Sequence, residues 1–213
     1  MARRDIQELF QIGKRTEFLR LCELLLRQSG ELCSVTNLAK HTGVTRPTIM
    51  NWLEALETTH FVHLLRPFHG GGRREVLAQP KVYAFDTGFV CHTRGWAQLR
   101  PEDCGQLLEH LTLDTIRAAN PSQTIHFWRD KNGKEIDFVF NDAGHGITAI
   151  ECKWTRNRHN SKNLDTFRSY YPRFVSCPRR FAPICWAAKT CSNRSTRQQA
   201  RLRICPSLFA PTS

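Results

Sequence analysis

Long apolar runs are missing from this sequence. No stretch approaches the roughly 18 consecutive apolar residues that cross a bilayer. The opening Met1-Ala-Arg-Arg-Asp-Ile6 has none of the apolar core of a secretory signal. A membrane-spanning or exported protein is therefore not expected, and a cytoplasmic location is. Paired cysteine spacing is missing too. Nine cysteines are scattered over 213 residues, yet none forms C-x-x-C or the short spacing of a zinc knuckle. In a non-exported chain a disulfide framework is not expected, so the thiols read as buried or incidental. No G-x-x-x-x-G-K-[ST] occurs, so the chain has no P-loop of its own and ATP hydrolysis is not expected. There is no G-x-S-x-G nucleophile elbow either, and Gly70-Gly71-Gly72 reads as a hairpin tip rather than a lipase oxyanion loop.

Acidic residues are missing from the last fifth of the chain. Pro172 to Ser213 holds eight Lys or Arg and no Asp or Glu, and so supplies +8 of the net charge of +12. Residues 1–171 carry 23 basic and 19 acidic side chains. A basic chain suggests a polyanionic partner, but here most of the signal sits where apolar periodicity also fades. The join after Tyr171 is what a frameshift would leave; a natural basic tail is the other reading. Upstream, composition is that of an ordinary globular protein, with 40% hydrophobic and 23% charged residues overall.

Periodicity organises that upstream part. Phe18, Leu21, Cys22, Leu25 and Leu26 fall at helical spacing within Arg15–Gln28, and Ser29-Gly30 stops the helix. A short helix is expected around Asn37–His41, capped by Ser34 or Thr36, with Gly43 as its turn. Thr45-Arg46-Pro47 opens a third, whose Ile49, Trp52, Leu53 and Leu56 form one stripe. Strands are expected at Phe61–Pro67 and Val82–Phe85, joined through a basic turn at Arg73-Arg74. Three helices followed by a hairpin describe a winged helix-turn-helix, here residues 1–93. Beyond it come a helix over Asp103–Asn120, strands at Ile125–Arg129, Glu135–Phe140 and Ile147–Trp154, and a closing helix at Asn163–Tyr170. Asn132-Gly133 marks a hairpin turn. The expected class is α+β: the winged helix, a second domain at residues 94–171, and an atypical basic tail at residues 172–213.

Chemistry concentrates in Glu135-Ile-Asp137 and Ile150-Glu151-Cys-Lys153. Strand residues two apart share a face, so Glu151 and Lys153 project together while Ile150 and Cys152 face the other way. Asp137 stands within an apolar strand, where an unpaired carboxylate is costly. Two carboxylates on an open face suit Mg²⁺ or Mn²⁺, leaving positions for water and phosphate. An ammonium beside them can orient water or stabilise charge on phosphate.

A strand with Asp, a hairpin, then Glu-x-Lys about a dozen residues later resembles the PD-(D/E)XK superfamily of metal-dependent nucleases. The resemblance implies Asp137 and Glu151 as metal ligands and Lys153 as the catalytic lysine. Glu109, on the preceding helix, would be an auxiliary ligand. Lys81-Val-Tyr83-Ala-Phe-Asp86-Thr-Gly88, Leu108-Glu109-His110, Phe127-Trp-Arg129-Asp and the two motifs above look like the C-terminal region of prokaryotic AAA-type ATPases. Those proteins carry a P-loop module, a winged helix and a nuclease-like domain of unassigned function. The resemblance covers about residues 3–171 and leaves an ATPase subunit or module in trans as a candidate partner. The family's strand and helix beyond the closing helix are not recognisable past Tyr171.

In the winged helix, Arg46, Thr48, Asn51, Arg73 and Arg74 suit contacts to phosphates and base edges of DNA; an interdomain scaffold is the bland alternative. Trp52, Trp96, Trp128 and Trp154 read as packing residues, and Arg156, Arg158, His159 and Lys162 as a basic cluster after the site. The expected function is a DNA-associated, Mg²⁺-dependent nuclease-like protein. The alternatives are a non-catalytic DNA-binding or adaptor module with a vestigial acidic cluster, and a truncated gene product.

Overall fold

The computed structural model describes residues 14–69, 79–119, 121–142, 146–154, 162–172 and 174–176. Arg73, Arg74, Arg156, Arg158 and His159 lie outside the described residues, as does nearly all of the basic tail. The fold is mixed α+β, with six helices and one six-stranded mixed sheet among the described residues. No described helix is long and apolar enough to cross a membrane.

Helices α1 (Arg15–Arg27), α2 (Val35–Thr42) and α3 (Arg46–Thr58) come first. Their boundaries follow local chemistry. The Ser34 hydroxyl accepts from the Asn37 N–H at the start of α2, and Gly43 closes it at φ 75°. The Thr45 hydroxyl caps α3, with Pro47 in the first turn. Apolar stripes from all three helices meet in one core containing Phe18, Leu21, Leu25, Leu38, Ile49, Trp52 and Leu56. The Phe18 and Trp52 rings pack edge-to-face there, with centroids 5.4 Å apart. Val62 and Val82 complete this core from the strands β1 (Val62–Pro67) and β2 (Lys81–Ala84), which pair antiparallel.

After β2 come α4 (Thr87–Arg94) and α5 (Pro101–Ala119). Strands β3 (His126–Arg129), β4 (Glu135–Asp142) and β5 (Gly146–Ile150) follow, then α6 (Lys162–Tyr170) and β6 (Phe174–Ser176). The order across the sheet is β2-β1-β3-β4-β5-β6. Strand β1 thus pairs on one side with β2 and on the other, in parallel, with β3. One face of the sheet packs on α5 through Leu113, Ile116, Phe127, Phe138, Phe140 and Ile150. The other packs on α6 through Trp128, Ile136, Val139, Ala149, Leu164 and Phe167.

Three elements depart from expectation. Helix α4 had no sequence stripe to announce it, because Val90 is its one buried residue. Strand β5 ends at Ile150, not Trp154, so Glu151 and Lys153 lie past its last ladder pair, Phe138 with Ile150. Strand β6 lies beyond Tyr171, where no strand was recognisable, and pairs in parallel with β5.

The Ser29-Gly30 turn ties the helical part to the rest. The Ser29 hydroxyl accepts from the Ala84 N–H at 2.7 Å and lies 3.1 Å from His110 Nε2. Burial, aided by the Arg94 charge, lowers the His110 pKa to about 4, so its neutral ring can accept from Ser29. The Ser29 carbonyl accepts from Arg94 and Gln106. Gly30 sits at φ 89°, and a Cβ there would lie 2.7 Å from the Gln106 amide. Ser29→Ala should leave the Ala84 N–H and His110 Nε2 both unpaired in the interior, costing about 1–3 kcal/mol. The expected readout is a lower denaturant midpoint with an unchanged slope; an unmoved midpoint would show that the joint carries no stability.

Candidate active site

The site is built where β4 and β5 part. In β4, Val139 pairs with His126 and Ile136 with Trp128, so Asp137 and Phe138 together answer Phe127 alone. That extra residue is a β-bulge, and bulges re-aim side chains. It allows Ile136 and Val139, three apart, to pack on the α6 side, while Phe138 joins the α5 side. The Asp137 carboxylate ends up in the gap beyond the last ladder pair of β4 and β5. There its Oδ2 accepts the Cys152 N–H at 2.6 Å, in a position where a backbone carbonyl would otherwise continue the ladder.

Asp137 is 8% exposed. Burial raises its pKa to about 8, the Glu109 charge pushes in the same direction, and Lys81, the Cys152 N–H and Lys153 only partly oppose them. Glu109 comes from α5, and burial raises its pKa too. Its Oε2 accepts from the Tyr83 hydroxyl at 3.0 Å and lies 4.0 Å from Lys81 Nζ. Burial drives the Tyr83 pKa well up, so the phenol keeps its proton and donates.

Lys81 leaves β2, passes 5.8 Å from the centre of the Phe127 ring and forms an ion pair with Glu135 on β4. Burial would lower its pKa, but Glu109, Asp137 and Glu135 outweigh it and hold the ammonium charged. Arg129 Nη1 reaches the other Glu135 oxygen at 3.7 Å.

Glu151 and Lys153 do project together. Lys153 Nζ lies 2.9 Å from Glu151 Oε1, and the same oxygen accepts from the Asn163 side chain on α6, also at 2.9 Å. Burial acts to lower the Lys153 pKa, but its bond to Glu151 and the charges of Asp137 and Glu109 raise it overall. Lys153 is therefore a cation that holds its proton. Cys152 faces the α5 side, where its thiol donates to Thr112 Oγ1 at 3.4 Å. Trp154 was expected to pack, yet it is 53% exposed. It stands at a cleft of about 370 Å³ lined with Pro101, Glu102, Gly105, Glu109, Cys152 and Lys153.

The structure thus brings Glu109, Asp137 and Lys153 within reach of one another's charge, with Glu151 attached through Lys153. Among the described residues, no group of three or more His, Cys, Asp and Glu side chains is arranged to hold a metal ion. The two carboxylates whose charges meet here are Asp137 and Glu109. One or two carboxylates, with water and phosphate completing the shell, is the habit of Mg²⁺. The sequence placed Glu135, Lys81 and Tyr83 within motifs without assigning them a part in the site, and did not single out Asn163. A lysine and a tyrosine two apart in a four-residue strand of otherwise apolar character were the available signal. On α3, Arg46 and Asn51 are exposed, while Thr48 is half-buried with its hydroxyl 2.9 Å from Thr45 Oγ1.

Residues 1–100 match the domain of unknown function DUF8612, and residues 104–191 match the domain of unknown function DUF4143. The break between the two matches falls at the start of α5. The second runs well past Tyr171, taking in β6. The chain is 26% identical over 165 residues to uncharacterised proteins of Mycobacterium bovis and Mycobacterium tuberculosis. The alignment covers 74% of this chain, which spans 37% of the length of those relatives. No solved structure matches.

The sign of the Asp137 effect on stability is fixed by its raised pKa. Between the ordinary value of 3.8 and about 8, the folded chain holds a proton that the unfolded chain has released. Stability from this group is full below the lower value and is lost as pH rises through the window. Asp137→Asn removes that loss while keeping an acceptor for the Cys152 N–H. Thermal unfolding in metal-free buffer should show the variant gaining on the wild type as pH rises from about 5 to about 9. A constant offset would mean that Asp137 does not titrate in this window.

Proposed function

We propose that the chain is a DNA-associated, divalent-metal-dependent phosphodiesterase of the nuclease-like kind. The observation that carries this reading is the buried Asp137 within reach of the charges of half-buried Glu109 and Lys153, which both line an open cleft. Two desolvated carboxylates whose pKa values are raised are poised for a hard cation. When bound, Mg²⁺ or Mn²⁺ would supply Lewis-acid polarisation of a phosphate oxygen. The remaining roles belong to the chain. Asp137 and Glu109 would hold the ion. Lys153, charged at neutral pH, would stabilise negative charge gathering on the phosphate rather than take a proton from water. Glu151 and Asn163 would orient Lys153, and Glu151 is retained as a further candidate ligand.

The three helices and the β1–β2 hairpin are read as a winged helix, with α3 as its DNA-contacting helix through Arg46 and Asn51. Thr48 contributes less to such contacts, because its hydroxyl is engaged in capping α3. The sequence resemblance to the C-terminal region of AAA-type ATPases supports an ATPase module as partner in trans.

One observation favours a second reading. Lys81 already provides a buried counter-ion for Glu109, Glu135 and Asp137. A cluster so neutralised can persist as a non-catalytic module whose remaining activity is DNA binding.

Calorimetric titration with Mn²⁺ at about pH 8.5 separates the readings. Binding by the wild type, lost in Asp137→Asn and Glu109→Gln, is the expected result. Cleavage of a DNA oligonucleotide in Mn²⁺ should then fall by at least about 100-fold in Lys153→Ala. No heat of binding from a chain that unfolds cooperatively would overturn the metal-dependent reading and leave the Lys81-neutralised one.

Arg46→Ala combined with Asn51→Ala should weaken DNA binding. It should also flatten the logarithmic salt dependence by about 0.9 if Arg46 contacts one phosphate. An unchanged slope would remove α3 from the DNA interface.

A further inference from the structure

We propose that Trp154 is a stacking platform for an unpaired nucleobase, so that the cleft takes single-stranded or frayed nucleic acid rather than intact duplex. The proposal rests on the phosphodiester reading of the same site and names its substrate class.

Trp154 is 53% exposed, whereas Trp52 and Trp128 are buried at 7% and 4%. Trp96 is half-buried, with the Arg94 guanidinium 4.9 Å from its ring centre. Among the described residues, Trp154 is therefore the tryptophan whose ring is offered to solvent. It directly follows Lys153, whose ammonium side chain is 33% exposed at the same cleft. A large apolar surface and a cation one residue apart form the two-part surface that a nucleotide presents in complement, a flat base joined to a phosphate. Exposing an indole costs solvation free energy that packing it would recover, and this one stands at the mouth of the charged site.

The cleft has room for such a guest. About 370 Å³ lies at the lower end of the roughly 300–1,000 Å³ typical of small-ligand pockets. That admits a nucleoside but not a base pair within its helix. Gly105 helps to create the space. It lies inside α5, where glycine costs about 1 kcal/mol relative to alanine, yet a Cβ there would meet nothing within 4 Å. No packing contact requires the glycine, and its missing side chain leaves that side of the cleft open. Bases within a duplex already have both faces covered by their neighbours. A base that stacks on Trp154 must be unpaired or extruded.

The test is a fluorescence-anisotropy titration of the full chain, in Mn²⁺, with a labelled phosphorothioate oligodeoxynucleotide that resists hydrolysis. It is run as single strand and as duplex, with wild type, Trp154→Ala and Trp154→Phe. Base–aromatic stacking is worth about 1–3 kcal/mol, so Trp154→Ala should weaken single-strand binding by about 5- to 150-fold. Trp154→Phe should retain most of the affinity, and duplex binding, which α3 can provide without the cleft, should be indifferent to both changes. Single-strand binding that is equal in wild type and Trp154→Ala would overturn the platform while leaving the metal site standing. An equal loss in Trp154→Ala and Trp154→Phe, with a lowered melting temperature, would overturn it in favour of a packing role. If neither form of nucleic acid binds although Mn²⁺ does, both the platform and the phosphodiester reading fall.

Discussion

Burying the Asp137 carboxylate is the constraint around which the sheet-forming half is arranged. An isolated carboxylate in a protein interior is intolerable unless it is bonded, paired or protonated, and here each remedy leaves a structural trace. The bulge in β4 turns the residue into the gap between strands. The Cys152 N–H is diverted from the ladder to the carboxylate, which ends β5 at Ile150 and frees Glu151 to Trp154 to diverge. Lys81 is drawn across the Phe127 ring from β2. The cleft mouth opens where the backbone ladder stops. Strand end, site and opening therefore have one cause.

That arrangement depends on β1. Because β1 pairs with β2 on one side and β3 on the other, Lys81 and Tyr83 reach Glu109 and Glu135 from the hairpin that also closes the three-helix core. The Ser29 joint fastens the end of α1 to the same hairpin and to α5. The helical part and the sheet thus share a strand and a buried polar network, and both supply groups to the site.

The parts of this structure legible in the sequence are those fixed locally. Ser34, Thr45 and Gly43 mark the ends of α2 and α3 through bonds to residues three or four away, and the stripe of α3 maps directly onto its buried residues. The co-facing of Glu151 and Lys153 was legible as well, since alternation persists past the end of β5. Helix α4 was not, because it buries only Val90 and turns Phe89 outward; the Asp86 cap and Gly95 at φ 70° were its only local marks. Three-residue β6 exists by pairing with β5, which no local pattern encodes. Lys81 and Tyr83 were missed for a related reason. Their strand is buried throughout, so burial alternation did not mark the face that meets Glu109, and the polar ends of Lys81 and Tyr83 were the only signal. The exposure of Trp154 depends on where the ladder stops, and that depends on Asp137.

The charges of the site suggest how its two readings connect. Glu109, Glu135, Asp137 and Glu151 face Lys81, Lys153 and Arg129. With Asp137 protonated, the cluster carries one negative charge fewer, and Lys81 remains paired with Glu135 and Lys153 with Glu151. That is the state its pKa of about 8 favours at neutral pH. Ionising Asp137 adds a negative charge in a poorly solvated gap, which favours another cation. On the proposed metal-dependent reading, a proton and a divalent ion would compete for the same carboxylate, and binding the ion would release the proton. Below about pH 8, the apparent affinity of such a site would fall by about tenfold per pH unit for this single linked proton. The self-neutralised reading and the proposed metal-binding reading would then be two protonation states of one cluster. Which of them dominates is set by how strongly the ion competes with a single proton on Asp137.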